Sequence, residues 1–513
     1  MVNQNNNNKE RIIVFDTTLR DGEQASGFHM FSEEKLEIAR KLEELNVNVI
    51  EAGFAASSPG DFEAIHKICE EITKAKVCSL ARARDEDIEI AAKALEPAIK
   101  RGNARIHTFI ATSDIHIEKK YNKDREWVLM QTEKAVKKAK SFVNDVEFSC
   151  EDFSRSDLDF VIKVVCKAIE AGATTINLPD TVGYMLPSES YEKIKSVIEK
   201  VKEKGYDAIF SVHNHNDLGL ATANTLNALE AGARQIEVTI NGIGERAGNA
   251  ALEEIIAILK TRKLYYTNIN TKLIGEISKL LSKIIGIEPQ PNKAVVGKNA
   301  FAHEAGIHQD GMSKDRETYE IMKPEDYGME SVITFGARSG KNALKAKYQT
   351  MNIKLSDVEF EKAANAFTLI SDKVKEADDA DVIRAIKDKE ISEYYQFISY
   401  HPIVDEVYGI IVKVKRDEKI ETLYGEGNGQ IDAAINAIRK IVQKDYKLEE
   451  FRVISKAKGS DAKGLTIVKV SKNGWNVIGI GESTDVVTAS IKAFINACNR
   501  LKYIEDYFAS VSK

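Results

Sequence analysis

The chain has 513 residues, of which 43% are hydrophobic and 30% charged, and a formal net charge of −6; this is an ordinary globular composition with room for about two to four domains. No run of about 18 apolar residues exists to span a membrane, and Lys and Arg are scattered among acids, which leaves no surface for nucleic acid. Five cysteines without C-x-x-C spacing exclude a disulfide framework and a structural zinc site, and point to a reducing cytoplasm.

Residues 1–10 lack the apolar core of a secretory signal and are expected as a disordered tail. Apolar runs then give eight strands: Ile12–Phe15, Val47–Ala52, Lys76–Leu80, Arg105–Ile110, Asp145–Ser149, Thr174–Leu178, Ala208–Val212 and Gln235–Ile240. Amphipathic helices lie between them, among them Ser32–Leu45, Ser156–Ala171 and Leu220–Ala231. Two of these run into Ala-Gly-Ala, at 171–173 and 231–233, with Gly placed as a helix C-cap. Such alternation over roughly 250 residues fits an α/β fold of the (β/α)8, or TIM, barrel type; an open doubly wound sheet is the alternative. The barrel is expected over residues 11–277, helical linker subdomains bent at Pro289, Pro291 and Pro324 over 278–393, and an α+β domain over 394–513.

The most informative pair is His213 and His215 in Phe210-Ser-Val-His-Asn-His-Asn-Asp217. Residues i and i+2 of an extended strand project from one face, so both imidazoles can reach one metal ion; two packed histidines at a strand end are the alternative. Polar groups also gather at the ends of other strands: Asp16-Thr-Thr-Leu-Arg-Asp-Gly22, Glu51, His107, Glu147-Phe-Ser-Cys-Glu-Asp152, Asn177-Leu-Pro-Asp-Thr181 and the loop 241–249. A parallel barrel carries its chemistry at that end. Two imidazoles with a carboxylate and an amide oxygen suit Mn²⁺, Mg²⁺, Zn²⁺ or Fe²⁺. Such an ion, chelated by a 2-keto acid, polarises the ketone. Arg20 is placed to stabilise the developing alkoxide, with a surface ion pair as its alternative. Gly242-x-Gly244-x-x-Ala247, ahead of a helix at Ala251–Leu259, also fits the dinucleotide fingerprint of a nicotinamide dehydrogenase. It follows the last strand rather than the first, and no strand with an acidic end comes about 20 residues later.

Leu19-Arg-Asp-Gly-Glu-Gln24, His213-x-His-Asn-Asp-x-Gly219, Asn241-Gly-Ile-Gly-Glu-Arg-Ala-Gly-Asn249 and Gly297-Lys-Asn-Ala-Phe-Ala-His-Glu-Ala-Gly-Ile-His-Gln-Asp-Gly311 occur in that order. Together they resemble the signatures of the alpha-keto acid Claisen condensing enzymes, the family of 2-isopropylmalate, homocitrate and citramalate synthases. The resemblance implies that a proton leaves the methyl of acetyl-CoA, the enolate attacks a 2-keto acid, and water cleaves the thioester to release CoA. It implies the metal ligands Asp21, His213, His215 and Asn249, filled by Mn²⁺, Mg²⁺ or Zn²⁺, with activation by a monovalent cation. Arg20 would stabilise the keto acid oxygen, and Glu151 and Thr181 would contact the keto acid. His308 would assist proton transfer in the neighbouring subunit's barrel, which implies a homodimer or larger; His303 is either its partner or a packed residue.

His107, Ser149 and Asn177 are expected to line the side-chain pocket. Asn177-Leu-Pro-Asp-Thr-Val-Gly183 is similar to the 2-isopropylmalate branch, which implies 3-methyl-2-oxobutanoate as substrate. Pyruvate, with citramalate as product, is the alternative, since two methyl groups are worth only about 1–3 kcal/mol in selectivity. The acidic Glu147 disfavours a substrate with a second carboxylate, and so homocitrate synthesis. A regulator with a dead barrel would lack one of the four ligands, and a biotin-dependent carboxyltransferase would carry Met-Lys-Met; neither holds here.

A β pattern returns near Tyr400 and occurs twice. Val407–Val414 and Thr422–Tyr424 lead through Gly425-Glu-Gly-Asn-Gly-Gln-Ile-Asp432 into a helix at Ala433–Val442. Leu465–Ser471 and Trp475–Gly479 lead through Gly481-Glu-Ser-Thr-Asp485 into a helix at Val486–Cys498. An Asp capping each helix start, with twin units side by side, suits a small ligand between them; Gly427, Asn428, Gly429, Asp432, Gly481, Ser483 and Asp485 are the candidates. The repeat resembles the leucine-binding regulatory domain of the same family and implies feedback inhibition by leucine, with a ligand-free dimerisation domain as the alternative.

Overall fold

Ile13-Val-Phe-Asp16 is β-branched and aromatic, and its last three residues are wholly buried, as suits a strand covered on both faces. The computed structural model describes residues 10–303, 315–330, 339–387, 389–404, 408–442, 445–456 and 462–511, with single positions 311, 332, 333, 336 and 459. In it this strand is β1, followed by β2 (Val49–Glu51), β3 (Lys76–Arg82), β4 (Ala104–Ala111), β5 (Asp145–Glu151), β6 (Thr175–Asp180), β7 (Ile209–Asn214) and β8 (Gln235–Val238). All pair in parallel and in sequence. β8 returns to β1, with Ile13 opposite Gln235 and Asp16 opposite Val238, which closes a (β/α)8 barrel and sets aside the open sheet. The expected helices form at Ser32–Glu44, Leu158–Ala171 and Ala221–Glu230. The second starts two residues later than its pattern suggests because Asp157 caps it, accepting from the Phe160 N–H at 2.8 Å.

The barrel has two interiors. Between strands and helices lies a continuous apolar shell that includes Ile50, Ile106, Phe148, Ile176, Val212 and Ile236. The lumen is mixed: Phe15, Val49 and Cys78 form a small apolar cluster of their own, while Arg105, Glu147, Ser211, Gln235 and Glu237 are buried polar groups on β4, β5, β7 and β8. Arg105 donates to Glu147 at 2.7 Å, to the Gln235 side chain at 2.8 Å and to both oxygens of Asp145 at 3.1 Å. Buried polar groups persist only where such pairing meets their desolvation cost.

The chain divides into two compact units: Met1–Ala302 with Glu320–Ser331, and His303–Tyr319 with Val332–Lys513. In the second, helices Lys341–Thr350, Asp357–Ser371 and Asp379–Lys387 share one core with two antiparallel sheets, through residues such as Leu344, Phe367, Val382, Ile410, Val468 and Phe494. Each sheet has three strands, where the sequence pattern gave two. Tyr395–Val404 precedes Tyr408–Arg416 and Lys419–Gly427, and Lys447–Ser455 precedes Gly464–Lys472 and Trp475–Ser483. Both extra strands lie at an edge and both are bulged, between Phe397 and Ser399 and between Leu448 and Glu450, which breaks their apolar alternation. The helices that follow are Gln430–Ile438 and Val486–Val511, the latter far longer than expected. Among the described residues, no helix is long and apolar enough to cross a membrane.

Each helix lies so close to its sheet that a side chain would not fit between. A Cβ on Gly479 would come within 2.8 Å of the Ala497 backbone nitrogen, and one on Gly481 within 2.5 Å of that of Ala493. Gly481→Ala is therefore expected to cost about 1–3 kcal/mol through overpacking. Denaturant unfolding of the variant checks this, and a stability equal to that of the parent would refute it.

Candidate active site and metal centre

His213 near the end of β7 and His215 just past it project from one face, as the i, i+2 rule requires. Their Nε2 atoms lie 3.2 Å apart, and each is 3.9 Å from a carboxylate oxygen of Asp21 in the loop after β1. The loop after β8 brings the fourth group. Asn249 donates through Nδ2 to Asp21 at 2.8 Å, while its buried Oδ1 has no hydrogen-bond partner among the described residues. The glycines that match the dinucleotide fingerprint serve this approach: Gly244 has φ +154°, and a Cβ there would sit 3.1 Å from the Asn249 Cγ.

Electrostatics favour a cation at this point. Burial lowers His213, and burial together with the neighbouring His213 lowers His215 to about 4, so both imidazoles are neutral at neutral pH. Burial alone would raise Asp21, but Arg20, the two histidines and Asn249 outweigh it and hold the carboxyl below its usual range. The Nδ1 of His213 pairs with Glu237 Oε2 at 2.9 Å, which aims Nε2 at the shared point. One carboxylate, two neutral imidazoles and a free amide oxygen fit a divalent ion.

Beside this cluster runs a buried chain of hydrogen bonds. Glu51, at the end of β2, accepts from Thr17 Oγ1 and Arg20 Nε at 2.6 Å each, and pairs with His107 Nδ1 at 2.7 Å. His107 Nε2 meets Ser149 Oγ at 2.7 Å, and Asn177 Nδ2 donates to that same oxygen at 2.9 Å. Burial opposes ionisation of Glu51, yet Arg20 and His107 hold it well below the usual carboxylate range. Arg20 is 11% exposed and bonded to Glu51 and Asp21, so the surface ion pair is not its role.

A cavity of about 250 Å³ opens here. It is lined by the expected Arg20, Asp21, His107, Ser149, Glu151, Asn177, Thr181, His213 and His215. Leu80, Phe109 and Pro179 join them. These three are apolar and carry no chemical signal in the sequence, although Phe109 and Pro179 each stand two residues beyond His107 and Asn177 on the same strand face. Glu151 turns toward the π-helical turn Ile117–Tyr121, where Lys120 Nζ donates to it at 2.8 and 3.0 Å. Glu147 is a correction: it does not line the cavity but is consumed in the lumen by Arg105 and Gln235, so it carries no information on specificity. A larger cavity, about 610 Å³, opens at the opposite mouth, lined by Arg11, Lys74, Lys76 and Arg105 among others; barrel chemistry belongs to the strand C-termini.

His308 and the side chain of His303 lie outside the described residues. In the second unit, Asp485 caps its helix as expected, accepting from Thr488 N at 2.8 Å, and Ser483 Oγ accepts from Asp485 N at 3.2 Å. Asp432 is not the cap of the other helix. Gly429 holds that position, and Asp432 accepts the Asn428 N–H at 3.0 Å from within the first turn. Gly427 ends its strand and Gly481 lies two residues short of the end of its own; both face helix backbone, with Ala433 N and Ala493 N each 2.5 Å from where a Cβ would stand.

The HMGL-like family matches residues 11–281, the homocitrate synthase post-HMGL domain-like family 295–375, and the LeuA allosteric (dimerisation) domain 373–502. The 2-isopropylmalate synthase of Campylobacter fetus is 48% identical, over 96% of this chain and 98% of its own. The chain belongs to the 2-isopropylmalate synthase family. The family member from Aquifex aeolicus is 46% identical, over 97% of each chain. Like them, this 2-isopropylmalate synthase relative is an acyltransferase.

Glu51→Gln would strip Arg20 and His107 of a buried counter-charge, at an expected cost of about 3–5 kcal/mol of stability near neutral pH. Because folding lowers Glu51 below its ordinary 4.5, its contribution is whole above about pH 4.5 and is lost as pH falls through the folded value. Unfolding of both proteins from about pH 7 to about pH 3.5 checks the sign, the gap narrowing at the acid end. A gap that widened there would contradict it.

Proposed function

We propose that this enzyme joins the acetyl group of acetyl-CoA to 3-methyl-2-oxobutanoate and hydrolyses the thioester, releasing 2-isopropylmalate and CoA at the first committed step of leucine synthesis. The convergence of Asp21, His213, His215 and Asn249 beside Arg20, at the wall of a small cavity, is the observation that carries this reading. A divalent ion held by those four groups, Mn²⁺, Mg²⁺ or Zn²⁺ by donor chemistry, would supply Lewis-acid polarisation of a ketone. Arg20, already fixed by Glu51, sets a positive charge where the ketone oxygen gains negative charge, with no reorganisation at that moment. Glu151 and Thr181 contact the keto acid from the rims of β5 and β6. Leu80, Phe109 and Pro179 give an apolar wall to an isopropyl tail, which favours 3-methyl-2-oxobutanoate over pyruvate. The near full-length likeness to 2-isopropylmalate synthases supports the same choice.

His308 takes the proton-transfer role in this reading, from a neighbouring subunit, so the active species is at least a homodimer. The match of residues 373–502 to the LeuA allosteric (dimerisation) domain supports self-association and an effector. Leucine is the effector we assign, at the helix starts near Asp432 and Asp485, with a monovalent cation as activator.

CoA release from acetyl-CoA with Mg²⁺ or Mn²⁺, compared for 3-methyl-2-oxobutanoate, pyruvate and 2-oxoglutarate, tests the reading. The first is expected to win; a preference for pyruvate would make citramalate the product. His213→Ala and His215→Ala should each lower turnover more than about a hundredfold while circular dichroism stays unchanged. Full activity in either would remove the assigned metal site. Added leucine should inhibit the full chain, and indifference to it would remove the effector.

A further inference from the structure

Asp152 stands next to Glu151, outside the cavity, in an unusual state. It is wholly buried, and its backbone is left-handed at φ +61°, ψ +36°, a conformation that strains a non-glycine residue. Its carboxylate accepts from Ser113 Oγ at 2.5 Å and from Arg155 Nε at 2.9 Å, and meets His116 Nδ1 at 3.0 Å. These groups come from the loops after β4 and β5. Its backbone N–H then donates to Thr181 Oγ1, on the loop after β6, at 2.9 Å. Three rim loops meet at one residue.

The last bond has a chemical consequence. A hydroxyl oxygen that receives a donor keeps its own proton for an acceptor elsewhere. The Thr181 proton has no acceptor among the described residues, and Thr181 lines the cavity. At this left-handed turn the chain places the Asp152 N–H on Thr181 and the Asp152 carboxylate on Ser113, His116 and Arg155, while Glu151, one residue earlier, lines the cavity. The carboxylate partners hold that turn against its cost.

We propose that Asp152 is a positioning residue for the condensation: through its N–H it fixes the Thr181 hydroxyl as a hydrogen-bond donor to an oxygen of the 2-keto acid. This rests on the reading above that Thr181 contacts the keto acid. Asp152 itself touches no substrate, and its effect passes through Thr181.

Steady-state kinetics of the metal-loaded full chain test this with Asp152→Ala, Asp152→Asn, Thr181→Val and the double variant D152A/T181V. Each of D152A and T181V is expected to lower kcat/KM for the keto acid about tenfold or more, with KM for acetyl-CoA held within about twofold. The double variant should fall no more than about twofold below T181V alone, because D152A acts only through the Thr181 hydroxyl that T181V already removes. Asp152→Asn, which tolerates the left-handed turn and keeps an acceptor oxygen, should recover to within about threefold of the parent. Losses that multiply in the double variant, or equal rises in KM for both substrates, would overturn the proposal. If D152A does not accumulate folded, Ser113→Ala, which removes one support of the carboxylate, takes its place in the cycle; a loss that persists in full with T181V overturns the proposal equally. A parent enzyme without turnover on any 2-keto acid would overturn the functional reading and this inference together, whereas multiplying losses in an active enzyme overturn the inference alone.

Discussion

A single buried carboxylate, Glu51, holds the site together. It is wholly shielded from water, yet ionised, because Thr17, Arg20 and His107 share its two oxygens. Such a charge is tolerable only when its partners are complete, so each partner is fixed in turn. Arg20 is set against Asp21, and His107 is set against Ser149 and through it Asn177. The groups to which we assign substrate roles are thereby aligned in advance, which is the condition under which fixed charges act most strongly on a reaction.

The same logic extends through the lumen. A barrel whose centre is filled by branched apolar chains needs no such pairing. Here Arg105, Glu147, Gln235 and Glu237 occupy much of that space, and Glu237 reaches His213 directly. Burial pushes Glu147 up to about 7, against the pull of Arg105. The interior is thus a connected polar framework on which the His213 imidazole rests, backed by an apolar shell that does the work of folding.

Much of this was legible in the chain. Eight apolar runs alternating with amphipathic helices announce the barrel, and polar residues at the strand ends mark its working face, because both follow from periodicity. What periodicity does not carry is direction within a layer. Glu147 and Ser149 share a strand face, but only Ser149 reaches the cavity; depth along the barrel axis decides, and no sequence pattern reports depth. The role of Asp152 was hidden for a different reason: it depends on three loops meeting, and no local spacing encodes that. The two missed strands failed on periodicity itself, since a bulge in each resets the alternation.

Those bulged strands have a consequence for the chain among its neighbours. Each lies at the open margin of a three-stranded sheet, where unpaired N–H and C=O groups would otherwise offer a template to any extended segment nearby. Pro402 interrupts one, and Lys447, Glu449, Glu450 and Arg452 crowd the other. A proline withholds a donor, a bulge twists the ladder out of line, and charged side chains keep the edge hydrated. The β-rich unit can therefore emerge from the ribosome in crowded surroundings with its margins bare and still resist cross-chain aggregation.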